Sequence, residues 1–156
     1  MISENTIRTV LQNHLAGGKA FMPLTDMFSE IPFEEVGARP YNLPYSFYEL
    51  FYHITYAQKD ILNFCVSEAY TTPNWPDDYW PKQQAPKSKT DWQQLQEDYL
   101  QDRKELEQLV ENKYLTEIVP TGENQTLFRE ILLVIEHAAY HTGQLVIILR
   151  LLGLHK

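Results

Sequence analysis

The sequence predicts an all-α fold, a four-helix bundle. Four segments place apolar residues at helical spacing, none shows convincing strand alternation, and there is no internal repeat. A connection of about 22 residues between the second and third segments sets the expected topology.

The first helix follows from Ile7, Val10, Leu11 and Leu15, which recur at three- and four-residue intervals, with Gly17-Gly18 as its C-terminal stop. The run "FMPLTDMF" adds a turn or two before Pro32. The second helix opens at Ser46, which makes a capping-box pattern with Glu49. Phe47, Leu50, Phe51, Ile54, Ala57, Ile61 and Phe64 carry it to about Val66. Thr90 and Gln93 make the same pattern at the start of the third helix. Its inner stripe is Trp92, Leu95, Tyr99, Arg103, Leu106 and Val110, with the Arg103 stem expected to cover the core rather than enter it. The fourth helix runs from about Thr126 to Leu152 and is apolar nearly all round, as an enclosed central helix is. Gly153 ends it.

The connection "EAYTTPNWPDDYWPKQQAPKSK" holds four of the nine prolines. Short loops force antiparallel neighbours, whereas a long one can return along the bundle and set the second and third helices parallel. The expected order is therefore up-down-down-up. Tyr70, Trp75 and Trp80 are expected to pack this loop on the body.

The 156 residues suit a single domain, 1–156, with a sizeable core. Net charge is −8 and the pI is near 5.0, with no Lys/Arg stripe, which argues against nucleic acid and anionic membranes. The one cysteine, Cys65, allows no internal disulfide and fits a reducing compartment. The N-terminal stretch lacks a basic segment followed by an apolar run, and "LVIILRLLGL" is short and broken by Arg150. A cytoplasmic protein is expected.

Chemistry concentrates on the histidines. His137 and His141, in "EHAAYHTGQ", are rotated by about 40° and separated by about 6 Å along the helix, so both project from one face. Leu133, Gln144 and Ile148 share that face, so it points inward. His53, beside Leu50, Ile54 and Ala57, has a similar setting on the second helix. Three imidazoles from two helices would make a facial nitrogen set with positions left for water or substrate. The alternative is three core histidines bonded to backbone carbonyls or tyrosines, and the residues alone leave both open. His14 and His155 lie near chain or helix ends and compete poorly.

Gln144, one turn beyond His141, is the candidate catalytic side chain, placed to touch a metal-bound water. Gly143 costs about 1 kcal/mol relative to alanine in mid-helix, which suggests a close approach of backbone or ligand. Glu130, Asp60 and Glu49 fall on the histidine stripes, either as carboxylates that orient imidazoles or as solvated residues at bundle ends. Cys65 lies about 120° round the helix from His53 and reads as a small core thiol. Thr142, about 100° from His141, is poorly placed as a nucleophile. No phosphate loop, dinucleotide fingerprint or HExxH is present.

The stretches "YELFYHITYAQKDIL" and "EHAAYHTGQLVIILRLLG", with "RPYNLPYS" before the second helix and "DYWP" in the long loop, resemble the DinB-like (damage-inducible) superfamily of metal-binding four-helix bundles. The most specific element, "HxxxHTGQ…R…LG", is matched by His137, His141, Thr142, Gly143, Gln144, Arg150 and Gly153. The resemblance implies a divalent metal, zinc or nickel with iron as a further option, on His53, His137 and His141. It also implies an up-down-down-up bundle and a homodimer. Relatives include thiol-dependent transferases and isomerases using low-molecular-weight thiols such as bacillithiol or mycothiol, and hydrolases. The expected function is a metal-dependent enzyme acting on a small molecule, with the metal activating a thiol or water. A thiol-dependent S-transferase comes first and a hydrolase second. A reading from another class is a non-catalytic, metal-stabilised dimeric interaction module.

Overall fold

A computed structural model describes residues 3–17 and 19–156. Gly18, expected beside Gly17 at the end of the first helix, lies outside the described residues. The chain forms α1 (Glu4–Ala16), α2 (Leu24–Glu30), α3 (Phe47–Val66), α4 (Lys89–Asn112) and α5 (Leu127–Leu151). Short 3-10 turns occur at Phe33–Glu35, Pro40–Asn42 and Asp77–Tyr79. Among the described residues the only strand-like feature is an isolated bridge between Ile118 and Thr126.

Side-chain caps start the four long helices. Ser3, Ser46 and Thr126 accept from backbone N–H groups three residues on, and Ser46 and Glu49 complete a reciprocal capping box. The expected Thr90 cap is corrected: Ser88 caps α4, accepting from Asp91 N at 3.1 Å. Gly17 and Gly153 adopt positive φ just past the ends of α1 and α5, where a side chain would be strained.

Helix α3 packs on α4 and α5, and α1 closes over the same pair. Phe51 meets Trp92 and Lys59 meets Asp102, so residue numbers rise together along α3 and α4. Arg8 bonds the Val110 carbonyl while Arg103 bonds that of Leu15, so α1 and α4 run oppositely.

The apolar core has two parts. One gathers Phe47, Leu50, Phe51 and Ile54 with Trp92, Tyr99, Leu145 and Ile148. The other gathers Leu11, Leu15, Leu62, Leu106, Val110, Ile131 and Val134. Between them lies a layer of buried polar side chains: His53, Gln58, Asp102, Arg103, His141 and Thr142. Such groups need partners, and most have one. Gln58 Nε2 donates to the Tyr99 carbonyl, Lys59 to Asp102, and Thr142 Oγ1 to the Ala138 carbonyl.

Two expectations change here. Arg103 enters the core: it is 7% exposed and donates to the Leu15 carbonyl and the Tyr99 hydroxyl. Helix α5 is not enclosed. Its most apolar window is only one-third buried, and Leu132, Tyr140, Ile147 and Leu151 are exposed. By length and composition α5 is also the one described helix long and apolar enough to cross a membrane. It nevertheless packs on α1, α3 and α4.

Candidate metal centre

The polar layer brings together the three histidines expected to meet. His53 lies near the middle of α3, and His137 and His141 lie one turn apart in the middle of α5. Ring centroids are 4.9 Å apart for His53–His137, 4.7 Å for His53–His141 and 4.6 Å for His137–His141. One nitrogen from each ring falls within 4.8 Å of the others.

The donor set fits a metal. Two imidazole nitrogens about 2.0–2.1 Å from one ion stand about 2.9–3.4 Å apart over octahedral to tetrahedral angles. His53 Nε2 and His137 Nε2 are 3.0 Å apart. Protonation also suits ligation. Burial pushes His53 and His137 down to about 4, and the neighbouring imidazoles push the same way. Burial likewise lowers His141. All three rings are therefore neutral near pH 7, with lone pairs available.

Each of two rings is oriented from outside. The Tyr79 carbonyl lies 3.2 Å from His53 Nδ1, and a carbonyl only accepts, so Nδ1 carries the proton and Nε2 is left as donor atom. His141 Nδ1 likewise donates to Gln144 Oε1 at 2.5 Å, while Gln144 Nε2 donates to the Tyr45 hydroxyl. Trp80 lies flat on His53, with centroids 4.3 Å apart and planes 3° from parallel. Trp75 and Tyr79 also approach that ring, at 6.1 and 6.3 Å. Tyr140 meets His141 edge-on at 4.8 Å.

The long loop therefore packs on the body, and does so over the histidines. Tyr70 is held by its hydroxyl on Asp60, Trp80 covers His53, and Trp75 is largely exposed. Tyr79 and Tyr45 were not singled out from the sequence. The aromatic–proline run was a signal for the first, and the second lies in the "RPYNLPYS" stretch before the second helix.

Of the remaining candidates, Gln144 stays at the site on His141, and the others are engaged elsewhere. Gln144 has both ends of its amide engaged, by His141 and Tyr45. None of the three carboxylates bonds an imidazole. Glu49 is held by Arg39 and Ser46, Asp60 by Tyr70 and Tyr79, and buried Glu130 by Arg129. Cys65 is buried in the second core and its thiol is pushed up to about 12 by burial, so it is inert. Thr142 is buried, its hydroxyl on the Ala138 carbonyl. No other part of the described chain makes the close approach expected at Gly143: a Cβ there would meet nothing within 4 Å. His14 is exposed, and His155 pairs with Glu30 at 2.8 Å.

The family model of the DinB superfamily matches residues 20–145, which span α2 to most of α5 and include all three histidines. The chain belongs to the DinB superfamily. No curated protein and no solved structure matches it. The matched span contains the helices that carry the trio of imidazoles.

Proposed function

We propose that His53, His137 and His141 hold one divalent metal ion, zinc or nickel first and iron next, in a metal-dependent enzyme acting on a small molecule. The observation that carries this reading is the convergence of one nitrogen from each of three imidazoles within 4.8 Å of the others, on rings that burial keeps neutral. A divalent ion there supplies Lewis acidity, lowering the pKa of a bound water or thiol. Three protein ligands is the count at catalytic zinc centres, which keep a further position for water or substrate. The Tyr79 carbonyl and Gln144 hold His53 and His141 with Nδ1 protonated, and Trp80 keeps water off one face of His53. Gln144 is then a positioning residue rather than a catalytic one.

A thiol-dependent S-transferase with a low-molecular-weight cosubstrate is the preferred class, and a hydrolase is next. The pairings of α1 with α4 and of α3 with α4 support an up-down-down-up bundle as a single domain. The buried lone cysteine supports a cytoplasmic setting. Metal analysis of untagged protein beside the triple variant His53→Ala/His137→Ala/His141→Ala tests the site; equal metal in both removes it. Unchanged turnover on His137→Ala, across thiol-conjugation and hydrolysis screens of metal-replete protein, removes the enzymatic reading.

The exposed face of α5 favours a second reading, a homodimer whose assembly is the function. An antiparallel copy would set Phe128 against Leu151 and Leu132 against Ile147, about a midpoint between Ala139 and Tyr140. All four side chains are exposed. Such self-complementarity is what a two-fold interface requires. Light scattering of native protein and Ile147→Lys tests it; a monomer in both, or a dimer in both, counts against this surface.

A further inference from the structure

Asp60 is seven residues beyond His53 on α3, which places it on the same face about 10 Å along the axis. It is too far away to touch the imidazole. Tyr79 spans the gap. Its hydroxyl donates to Asp60 Oδ2 at 2.5 Å, and its own backbone carbonyl accepts from His53 Nδ1 at 3.2 Å. The ring between these two ends packs edge-on against Tyr56, which lies between His53 and Asp60 on α3, at 5.0 Å. The next residue, Trp80, is the one stacked on His53.

We propose that Asp60 is a remote positioning residue for the metal centre, acting through Tyr79 as a strut that fixes the tautomer and orientation of His53. This rests on the metal reading above and adds a residue that touches neither ligand nor ion. A carboxylate accepting a hydroxyl proton is the stronger kind of hydrogen bond, suited to pinning the 3-10 turn Asp77–Tyr79 of the loop onto α3. The second oxygen, Asp60 Oδ1, accepts from the Tyr70 hydroxyl at 2.8 Å. That makes Tyr70 a built-in control. It shares the same carboxylate and the same loop, but its hydrogen bond does not lead to His53.

The test compares native protein with Asp60→Ala, Tyr79→Phe and Tyr70→Phe by three measurements. These are Co(II) affinity, the His53 tautomer from long-range proton–nitrogen NMR, and thermal stability. Changes just outside a metal's ligands weaken binding by about 10–100-fold, so Asp60→Ala and Tyr79→Phe are expected near the lower end, about tenfold. Both should move His53 from one Nδ1–H tautomer to a mixture. Tyr70→Phe should leave affinity and tautomer unchanged even if it lowers the melting temperature. Native affinity and a single tautomer in Asp60→Ala overturn the proposal, and so does an equal loss in Tyr70→Phe and Tyr79→Phe. If Asp60→Ala does not fold, Tyr79→Phe and Asp60→Asn carry the same comparison. If native protein binds no cobalt while Asp60→Ala and Tyr79→Phe still show the tautomer shift, the metal reading is refuted and the strut stands.

Discussion

Trp80 lies flat on the imidazole of His53, with ring centroids 4.3 Å apart and planes 3° from parallel. A residue from the irregular loop before α4 thus forms one wall of a site built on α3 and α5. An indole in this position shields one face of the ring and reports on anything bound at its edge.

Nickel or cobalt added to metal-free protein is accordingly expected to quench tryptophan emission. Trp75→Phe/Trp80→Phe should remove most of that response, since both indoles approach His53, while Trp92→Phe, an indole packed on Phe47 and Phe51, should keep it. A response that survives the double variant intact would place the ion elsewhere.

Acid should destabilise metal-free protein in a window set by the histidines. In the folded state burial holds His53 and His137 at about 4, against an ordinary value of 6.5. As pH falls below 6.5 the unfolded chain takes up protons that the folded chain refuses, so stability declines until about 4. The contribution is fully present above 6.5. Urea midpoints with chelator present should fall across this window more steeply than in a His53→Gln/His137→Gln variant. Parallel curves for the two proteins would show that the imidazoles are not held neutral.

Gln144→Ala tests whether this side chain positions or catalyses. Loss of the acceptor on His141 Nδ1 is expected to weaken metal binding about 10–100-fold with little change in melting temperature. Gln144→Glu keeps an acceptor and should retain most of the affinity. Unchanged affinity with lost turnover would instead assign Gln144 to the chemistry.

Gly143→Ala should stabilise the isolated chain. The position is inside α5, and an added Cβ meets nothing within 4 Å. Alanine is favoured over glycine there by about 1 kcal/mol, measurable by urea unfolding at low protein concentration. A destabilised variant would mean that something packs closely on this face in solution, as a second copy would.

Local signals were the most legible part of the chain. The Ser46/Glu49 box and the Gly153 stop involve residues within one turn of each other, so sequence neighbours suffice to read them. The α4 cap was misplaced by two residues because Ser88 and Thr90 carry the same hydroxyl chemistry at nearly the same point. The His53, His137 and His141 trio could be assembled because each imidazole interrupts an apolar helical stripe. Its supports could not. His53 is held by a backbone carbonyl, which every residue has, so no residue type marks Tyr79 as the partner. Gln144 was noticed for its spacing, but its role depends on Tyr45, a residue 99 positions away.

By itself, then, the sequence determined the helices, their main stops, and which three imidazoles face inward, because periodicity and capping act over a few residues. Tertiary structure decided which faces are covered. Composition cannot distinguish an apolar surface turned to the core from one turned outward, so α5 read as enclosed although Tyr140 is 67% and Ile147 52% exposed. It also decided the fate of Arg103, whose head found the Leu15 carbonyl and Tyr99 hydroxyl inside the core instead of water outside it. And it decided that a carboxylate two turns from His53 reaches that ring only through Tyr79, since the link runs through a loop whose path is set by packing rather than by spacing.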